Sequence, residues 1–175
     1  NIKINELIDK SEKIKKEIEK IKKNRGTVYF FGNGGSQSTA SHASVDFNKN
    51  AGIKSKHYND PTMLTCFAND YGYENSIKKI IEFYCTKTDL VILISVSGNS
   101  KNLVNAAKFC IKNKIKLITF TGNSIKNALI STNKKGINFF VNHKGYNIVE
   151  TIHSTYILSI VDSFVGKSVY KIKKI

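Results

Sequence analysis

The sequence predicts an α/β fold, a parallel β-sheet covered by helices on both faces. Short apolar runs of strand length alternate along the chain with longer runs of helical period, the pattern of parallel strands joined by helical crossovers. Two Gly- and Ser-rich loops, Gly32-Asn33-Gly34-Gly35-Ser36 and Ser95-Val96-Ser97-Gly98-Asn99-Ser100, each follow an apolar run and open a helical one. The 175 residues, 41% of them hydrophobic, contain no internal repeat, low-complexity tract or linker, so one domain with a continuous core is expected.

The elements follow in order. Ile2, Ile4, Leu7, Ile8, Ile14, Ile18 and Ile21 recur among lysines and glutamates, predicting an amphipathic helix over 2–24 whose apolar face must pack on something. Thr27-Val28-Tyr29-Phe30-Phe31 reads as the first strand, 27–31, and the first glycine-rich loop opens a helix over 36–48. A short strand near 52–58 precedes the lone proline, Pro61, which after Asn59-Asp60 marks a turn opening a helix over 62–68. A helix over 74–85, a strand over 89–95, a helix over 100–113 and a strand over 115–121 come next. Helix 123–132, strand 137–141 and a long helix over 147–166 complete the alternation. The segment from Lys167 to Ile175 is a basic end expected to fray.

Composition excludes some functions. A formal net charge of +15 raises nucleic acid as a partner, but Arg25 is the only arginine and the lysines spread from Lys3 to Lys174. Bidentate reading of bases and phosphates prefers arginine, so no nucleic-acid partner is expected, and the charge serves at most to attract an anionic metabolite. No apolar stretch of bilayer length and no leader-like order of residues is seen, so a soluble, cytoplasmic protein without membrane contact is expected. Cys66, Cys85 and Cys110, odd in number and set among apolar neighbours, read as buried thiols of a reducing compartment.

The two loops carry the chemistry. A helix N-terminus leaves backbone N–H groups unpaired and carries partial positive charge, so a phosphate placed there meets several donors at once. In the first loop Gly34 and Gly35 admit close approach and Ser36 is placed as the N-cap; in the second Ser95, Ser97, Asn99 and Ser100 supply polar side chains. Strand-to-helix turns also use Gly and Ser for purely local reasons, but two such loops in one small chain point to a sugar phosphate. Neither loop has the Walker Gly-Lys-Ser/Thr or the G-x-G-x-x-G fingerprint, so no nucleotide cofactor is expected. Ligands of open parallel sheets bind beyond the C-terminal ends of the strands, where Thr121 also lies, so one pocket is expected to gather Ser36, Ser95, Ser97, Asn99, Ser100 and Thr121.

Gly32-Asn33-Gly34-Gly35-Ser36 followed by His42, then Asn69-Asp70-Tyr71-Gly72-Tyr73, then Ser95 to Ser100, and last Glu150-Thr151-Ile152-His153, resemble in series the phosphoheptose isomerase family of sugar isomerase (SIS) domains. The resemblance spans residues 1 to about 166. It implies a flavodoxin-like sheet, a homotetramer built partly on the N-terminal helix, and a site shared between subunits. It also implies conversion of sedoheptulose 7-phosphate to a heptose 7-phosphate for lipopolysaccharide, capsule or related glycans, often with zinc bound. Carried onto this chain, it puts Asn33, Gly34, Gly35, Ser36, Asn69, Asp70, Ser95, Ser97, Asn99, Ser100 and Glu150 at the substrate.

Aldose–ketose isomerisation moves a proton between adjacent carbons through an enediol, which needs a base and an acid or metal. The family's base is a glutamate four residues after the motif histidine; here Asp46 stands there, one helical turn from His42, a spacing equally typical of an i,i+4 ion pair. Aspartate is one methylene shorter, and a base misplaced by about 1 Å can cost on the order of a hundredfold in rate. The family's glutamine ligand and catalytic histidine on the last helix correspond to Glu150 and Leu158, and a threonine of its phosphate loop to Val96. His42, Asp46 and Glu150 are the implied zinc ligands, with His153 a fourth candidate; Asp46 is the implied base, assisted by a metal or by His153, and His153 reads equally as a packed helix residue, because in the family a histidine stands there beside the catalytic one. Three readings follow: an isomerase of a seven-carbon or similar sugar phosphate, a catalytically silent sugar-phosphate-binding or adaptor protein, to which Asp46 and Leu158 point, and an isomerase of altered substrate whose acid comes from a neighbouring subunit or a water. His57 and His143 carry no sequence-readable partner and no assigned role.

Overall fold

The computed structural model describes residues 4–166, and the basic end from Lys167 lies outside them. Five strands, β1 (Val28–Phe31), β2 (Ser55–His57), β3 (Leu90–Ser95), β4 (Lys116–Thr121) and β5 (Ile137–Phe140), pair in parallel throughout, in the order β2-β1-β3-β4-β5. This is the flavodoxin-like doubly wound order, which reverses direction between β1 and β3.

The period of two along each strand sorts its side chains between two cores. Val28 and Phe30 of β1, Leu90, Ile92 and Ile94 of β3, and Ile118 and Phe120 of β4 join Ile14 and Ile18 of α1 (Ile4–Lys23), Phe47 of α2 (Gly35–Lys49) and Ile157 of α7 (Tyr146–Val165). Tyr29, Phe31, Val91, Leu93 and Leu117 face the other way, onto Ile77, Ile80 and Ile81 of α4 (Tyr73–Tyr84), Leu103 and Ala106 of α5 (Lys101–Lys112) and Leu129 of α6 (Ala128–Thr132). At the sheet's N-terminal edge the buried Asp89 carboxylate accepts the Thr27 and Thr86 N–H groups, each at 2.7 Å, which joins β1 to β3 away from the loops of interest.

Several expected elements shift for local reasons. The helix expected over 123–132 is only the five-residue α6, because Asn123 takes φ 62° and the Asn127 carboxamide caps the later start at Ile130 N–H. The short strand pairs only over Ser55–His57. α3 (Pro61–Tyr71) begins on the Asp60 cap as the proline indicates, and runs about three turns without one buried residue. Cys66 therefore faces solvent, contrary to expectation, while Cys85 is half-buried and Cys110 buried; all three are free thiols. The expectation that no apolar stretch reaches bilayer length is also corrected. α7, with Glu150 and Asp162 as its charged residues, is long and apolar enough by length and composition, and one face of it, carrying Val149, Tyr156, Ile157, Ile160 and Val161, is buried in the core.

Candidate functional site

The loops after β1 and β3 flank the point where the strand order reverses, so the topology brings the two glycine-rich loops together. Between them lies a cavity of about 90 Å³ lined by Asn33, Ser36, Ser95, Ser97, Ser100 and Glu150, with Val96, Leu103 and Tyr146. Two helix N-termini open onto it. Neither N-cap residue, Gly34 of α2 nor Ser100 of α5, supplies a side-chain cap, although the Ser36 N–H already donates to the Asn33 carbonyl at 3.0 Å and the Leu103 N–H to Asn102 Oδ1 at 3.0 Å. The expected Ser36 cap is corrected: Gly34, at φ 53°, holds the cap position, and Ser36, 3% exposed, lies inside the first turn with its residue lining the cavity.

Glycine is required where α2 folds back on its own entry. A Cβ on Gly32 would fall 2.5 Å from the Ser36 carbonyl carbon, so any side chain there displaces the first turn. In the second loop Gly98 takes φ 65° and gives its N–H to Ser95 Oγ at 3.1 Å, while Ser97 Oγ accepts the Asn99 N–H at 3.2 Å. Both hydroxyls hold the loop as acceptors and keep their O–H to donate to a bound anion. Asn99 turns away: its Oδ1 accepts the Ala128 N–H at 2.9 Å and anchors α6. Thr121 does not line the cavity; its Oγ1 is buried without a partner.

A second cavity, of about 410 Å³, adjoins the first at Asn33, which lines both. Its walls mix apolar Phe31, Leu64, Ile77 and Ile80 with polar Asn33, Gln37, Ser38, Tyr58, Tyr73 and Asn102. Sequence reasoning missed Asn102 and Gln37, and gave no role to Tyr73, although Tyr73 closes the motif that begins at Asn69. For Asn102 a signal existed, since it stands one turn before Ala106 on the buried stripe of α5, where a polar residue needs a reason. Gln37 supports the first loop by accepting the Gly32 N–H at 3.0 Å and donating to Ser41 Oγ, which also bonds His57 Nδ1.

Other expected site residues lie elsewhere. Asn69 and Asp70 are exposed on α3, bonded to one another, and line neither cavity. His42 and Asp46 form the i,i+4 pair, Nε2 to Oδ2 at 3.4 Å, on the exposed side of α2. Glu150 does reach the first cavity, where its carboxylate lies over Gly35 in space that a Cβ would fill. From Gly35 to His42 is seven residues, about 10 Å of helix. His42, Asp46 and Glu150 of one chain accordingly do not converge, and no group of three His, Cys, Asp or Glu side chains suited to a metal occurs among the described residues. A zinc ion held by that trio within one chain does not fit.

His153 is corrected most sharply. It is 0% exposed, edge-on to Phe120 and Phe139, with Nε2–H donating to the Thr121 carbonyl at 3.1 Å and Nδ1 buried without a partner. Burial pushes its pKa down to about 4, so it is neutral at physiological pH and faces the core rather than a ligand.

The sequence pattern of the SIS domain family matches residues 4–122. A phosphoheptose isomerase of Buchnera aphidicola from Acyrthosiphon pisum is 32% identical over 148 residues, covering 76% of this chain and 75% of the relative. Phosphoheptose isomerase 2 of Campylobacter jejuni is 38% identical over 114 residues, covering 62% and 57%. The chain spans between half and two thirds of the length of several such curated relatives. In fold it is similar to a phosphoheptose isomerase from Neisseria gonorrhoeae, with a TM-score of 0.84 at 23% identity over 90% of this chain and 87% of the other.

Proposed function

This chain belongs to the SIS domain family, among the phosphoheptose isomerases, and on that premise we propose that it isomerises a sugar phosphate, aldose to ketose or the reverse, with sedoheptulose 7-phosphate as the substrate to test. The observation that carries the reading is the pair of helix N-termini, neither capped by the side chain of its N-cap residue, meeting over a cavity of about 90 Å³ with serine residues on its wall, beside a roomier cavity of mixed polarity. The small cavity suits a phosphate group, and the larger one a chain of hydroxylated carbons.

The base must reach the carbons next to the carbonyl, far from the phosphate. Asp46 stands ten residues beyond Ser36 on α2, about 15 Å along the axis, further than an extended seven-carbon sugar reaches from a phosphate in the same chain's cradle. We therefore assign Asp46 and His42 to a ligand held by a second copy, with the homotetramer as the assembly. Surface composition supports this: Ile148 of α7 and Ile8 of α1 are exposed, α3 has no buried residue, and α7 is apolar on more than its buried side. Asp46 would take the proton from one carbon and return it to the next, and the His42 imidazole, bonded to it, would orient the carboxylate. The free thiols fit a reducing compartment, and we place the protein in the cytoplasm.

A silent sugar-phosphate binder is the second reading, favoured by two observations: His42 and Asp46 line neither cavity of their own chain, and Leu158 carries no titratable group. The deciding experiment follows sedoheptulose 7-phosphate by NMR with the wild-type chain, Asp46→Asn, Ser97→Ala/Ser100→Ala, and a refolded mixture of the two variants. Turnover by wild type, loss in each variant and partial recovery in the mixture would establish a shared catalytic site. Binding without turnover in wild type would support the silent binder.

A further inference from the structure

Asn33 stands where the two cavities meet, and its side chain is held by a network whose hydrogen directions can be worked out. The Leu103 backbone N–H, a donor only, points at one end of the Asn102 carboxamide at 3.0 Å, which identifies that end as Oδ1. The other end is then Nδ2, and it donates to Asn33 Oδ1 at 2.9 Å. In return Asn33 Nδ2 donates to Asn102 Oδ1 at 3.1 Å, so the two carboxamides exchange a pair of bonds. The Tyr73 hydroxyl donates a further bond to Asn33 Oδ1 at 2.9 Å. Both lone pairs of that oxygen are occupied, and one N–H of Asn33 is left over.

We propose that Asn102 is a positioning residue that locks the Asn33 carboxamide so that its remaining N–H, and never its oxygen, faces the ligand at the junction of the cavities. The inference rests on the sugar-phosphate reading for the ligand, while the lock itself does not. Asn102 is 2% exposed in the first turn of α5, whereas Asn33 belongs to the loop after β1. The pair thus ties the two loops across the reversal point of the sheet, fixing their separation as well as one donor. A free asparagine can turn either end to a ligand; one clamped in this way discriminates for acceptors such as hydroxyl and phosphate oxygens. Tyr73, 58% exposed at the start of α4, holds the same oxygen from a third element.

The test is a double-mutant cycle read by calorimetry, with sedoheptulose 7-phosphate as the probe in one arm and inorganic phosphate in the other. Asn102→Leu is expected to weaken sugar-phosphate binding about tenfold, the scale of one well-placed hydrogen bond, and to have no further effect in an Asn33→Ala background. Tyr73→Phe, an exposed single-atom deletion that leaves folding intact, is expected to weaken it by about threefold. A ligand-free readout stands beside these. In protein labelled with 15N-asparagine, the two Asn33 amide protons should exchange with solvent at clearly different rates in wild type and at similar fast rates in Asn102→Leu. Weakening by Asn102→Leu that persists in full without the Asn33 side chain, or Asn33 signals unmoved by the substitution, would overturn the proposal. If wild type binds neither probe, the sugar-phosphate reading falls, and the exchange rates alone decide whether the lock exists.

Discussion

His153 links the structure to a pH dependence whose sign and size can be worked out. In the folded chain it titrates at about 4, pushed down by burial, whereas in the unfolded chain it should titrate near 6.5. Between those values the unfolded state binds a proton that the folded state refuses, so stability rises with pH across the window and falls as the solution is acidified from about 6.5 towards 4. Integrating between pH 7 and pH 5 gives a loss of about 2 kcal/mol from this one residue. The comparison variant is His153→Gln, whose Nε2 can still donate to the Thr121 carbonyl but which does not titrate. Urea unfolding of both proteins at the two pH values, at one fixed protein concentration so that any contribution from assembly is held constant, isolates the term. Wild type should lose about 2 kcal/mol more than His153→Gln on going from pH 7 to pH 5. Equal losses in the two proteins would mean that His153 titrates normally in the native state. It would then have access to solvent, and its removal from the catalytic roster would be wrong.

Three other expectations concern the loops. Gly98→Ala places a side chain at φ 65° and against the Asn127 carboxamide, and should cost about 1–2 kcal/mol from the backbone alone, measured by thermal unfolding. Ser97→Ala removes an acceptor for the Asn99 N–H as well as a ligand donor, so calorimetry should show weaker binding of inorganic phosphate with little change in melting temperature. Glu150→Gln replaces a carboxylate that lies over Gly35 in the first turn of α2, where its negative charge opposes a ligand anion; phosphate affinity should rise, most at low ionic strength.

What could be read from the sequence divides along physical lines. The strands and their alternation with helices were legible because β1 and β3 are buried on both faces and so are written as unbroken apolar runs. The two cradles were legible because close backbone approach demands glycine at Gly32 and Gly98. Cys66 was misread because an apolar neighbour says nothing about direction: Phe67 turns inward against the core, and the helix carries Cys66 round to solvent. His153 was misread because a histidine in a functional motif and one filling a gap between Phe120 and Phe139 look alike in one dimension. Asn102 was missed because its partner lies 69 residues away, and no local pattern records a pairing across the sheet.

The separation of the cradle from Asp46 follows from the same geometry. A helix that presents its N-terminus to a phosphate carries its next turns away from that phosphate at 1.5 Å per residue, so no residue late in α2 can serve a short ligand bound at its own start. The groups close enough to the cradle in one chain are serines, asparagines, tyrosines and the Glu150 carboxylate, which include no acid–base pair. In α2, therefore, one element can both hold a phosphate and supply a base only if it does so for two different ligands. That requires a second copy whose α2 passes the open side of the first copy's larger cavity. The mixing of Asp46→Asn with the cradle variant probes this directly, because one hybrid site would inherit an intact cradle and an intact base while the other inherits neither. Recovery well below that of wild type is the signature of shared sites. A mixture with no recovery, alongside an active wild type, would place the base and the cradle of each site in one chain and contradict the distance argument.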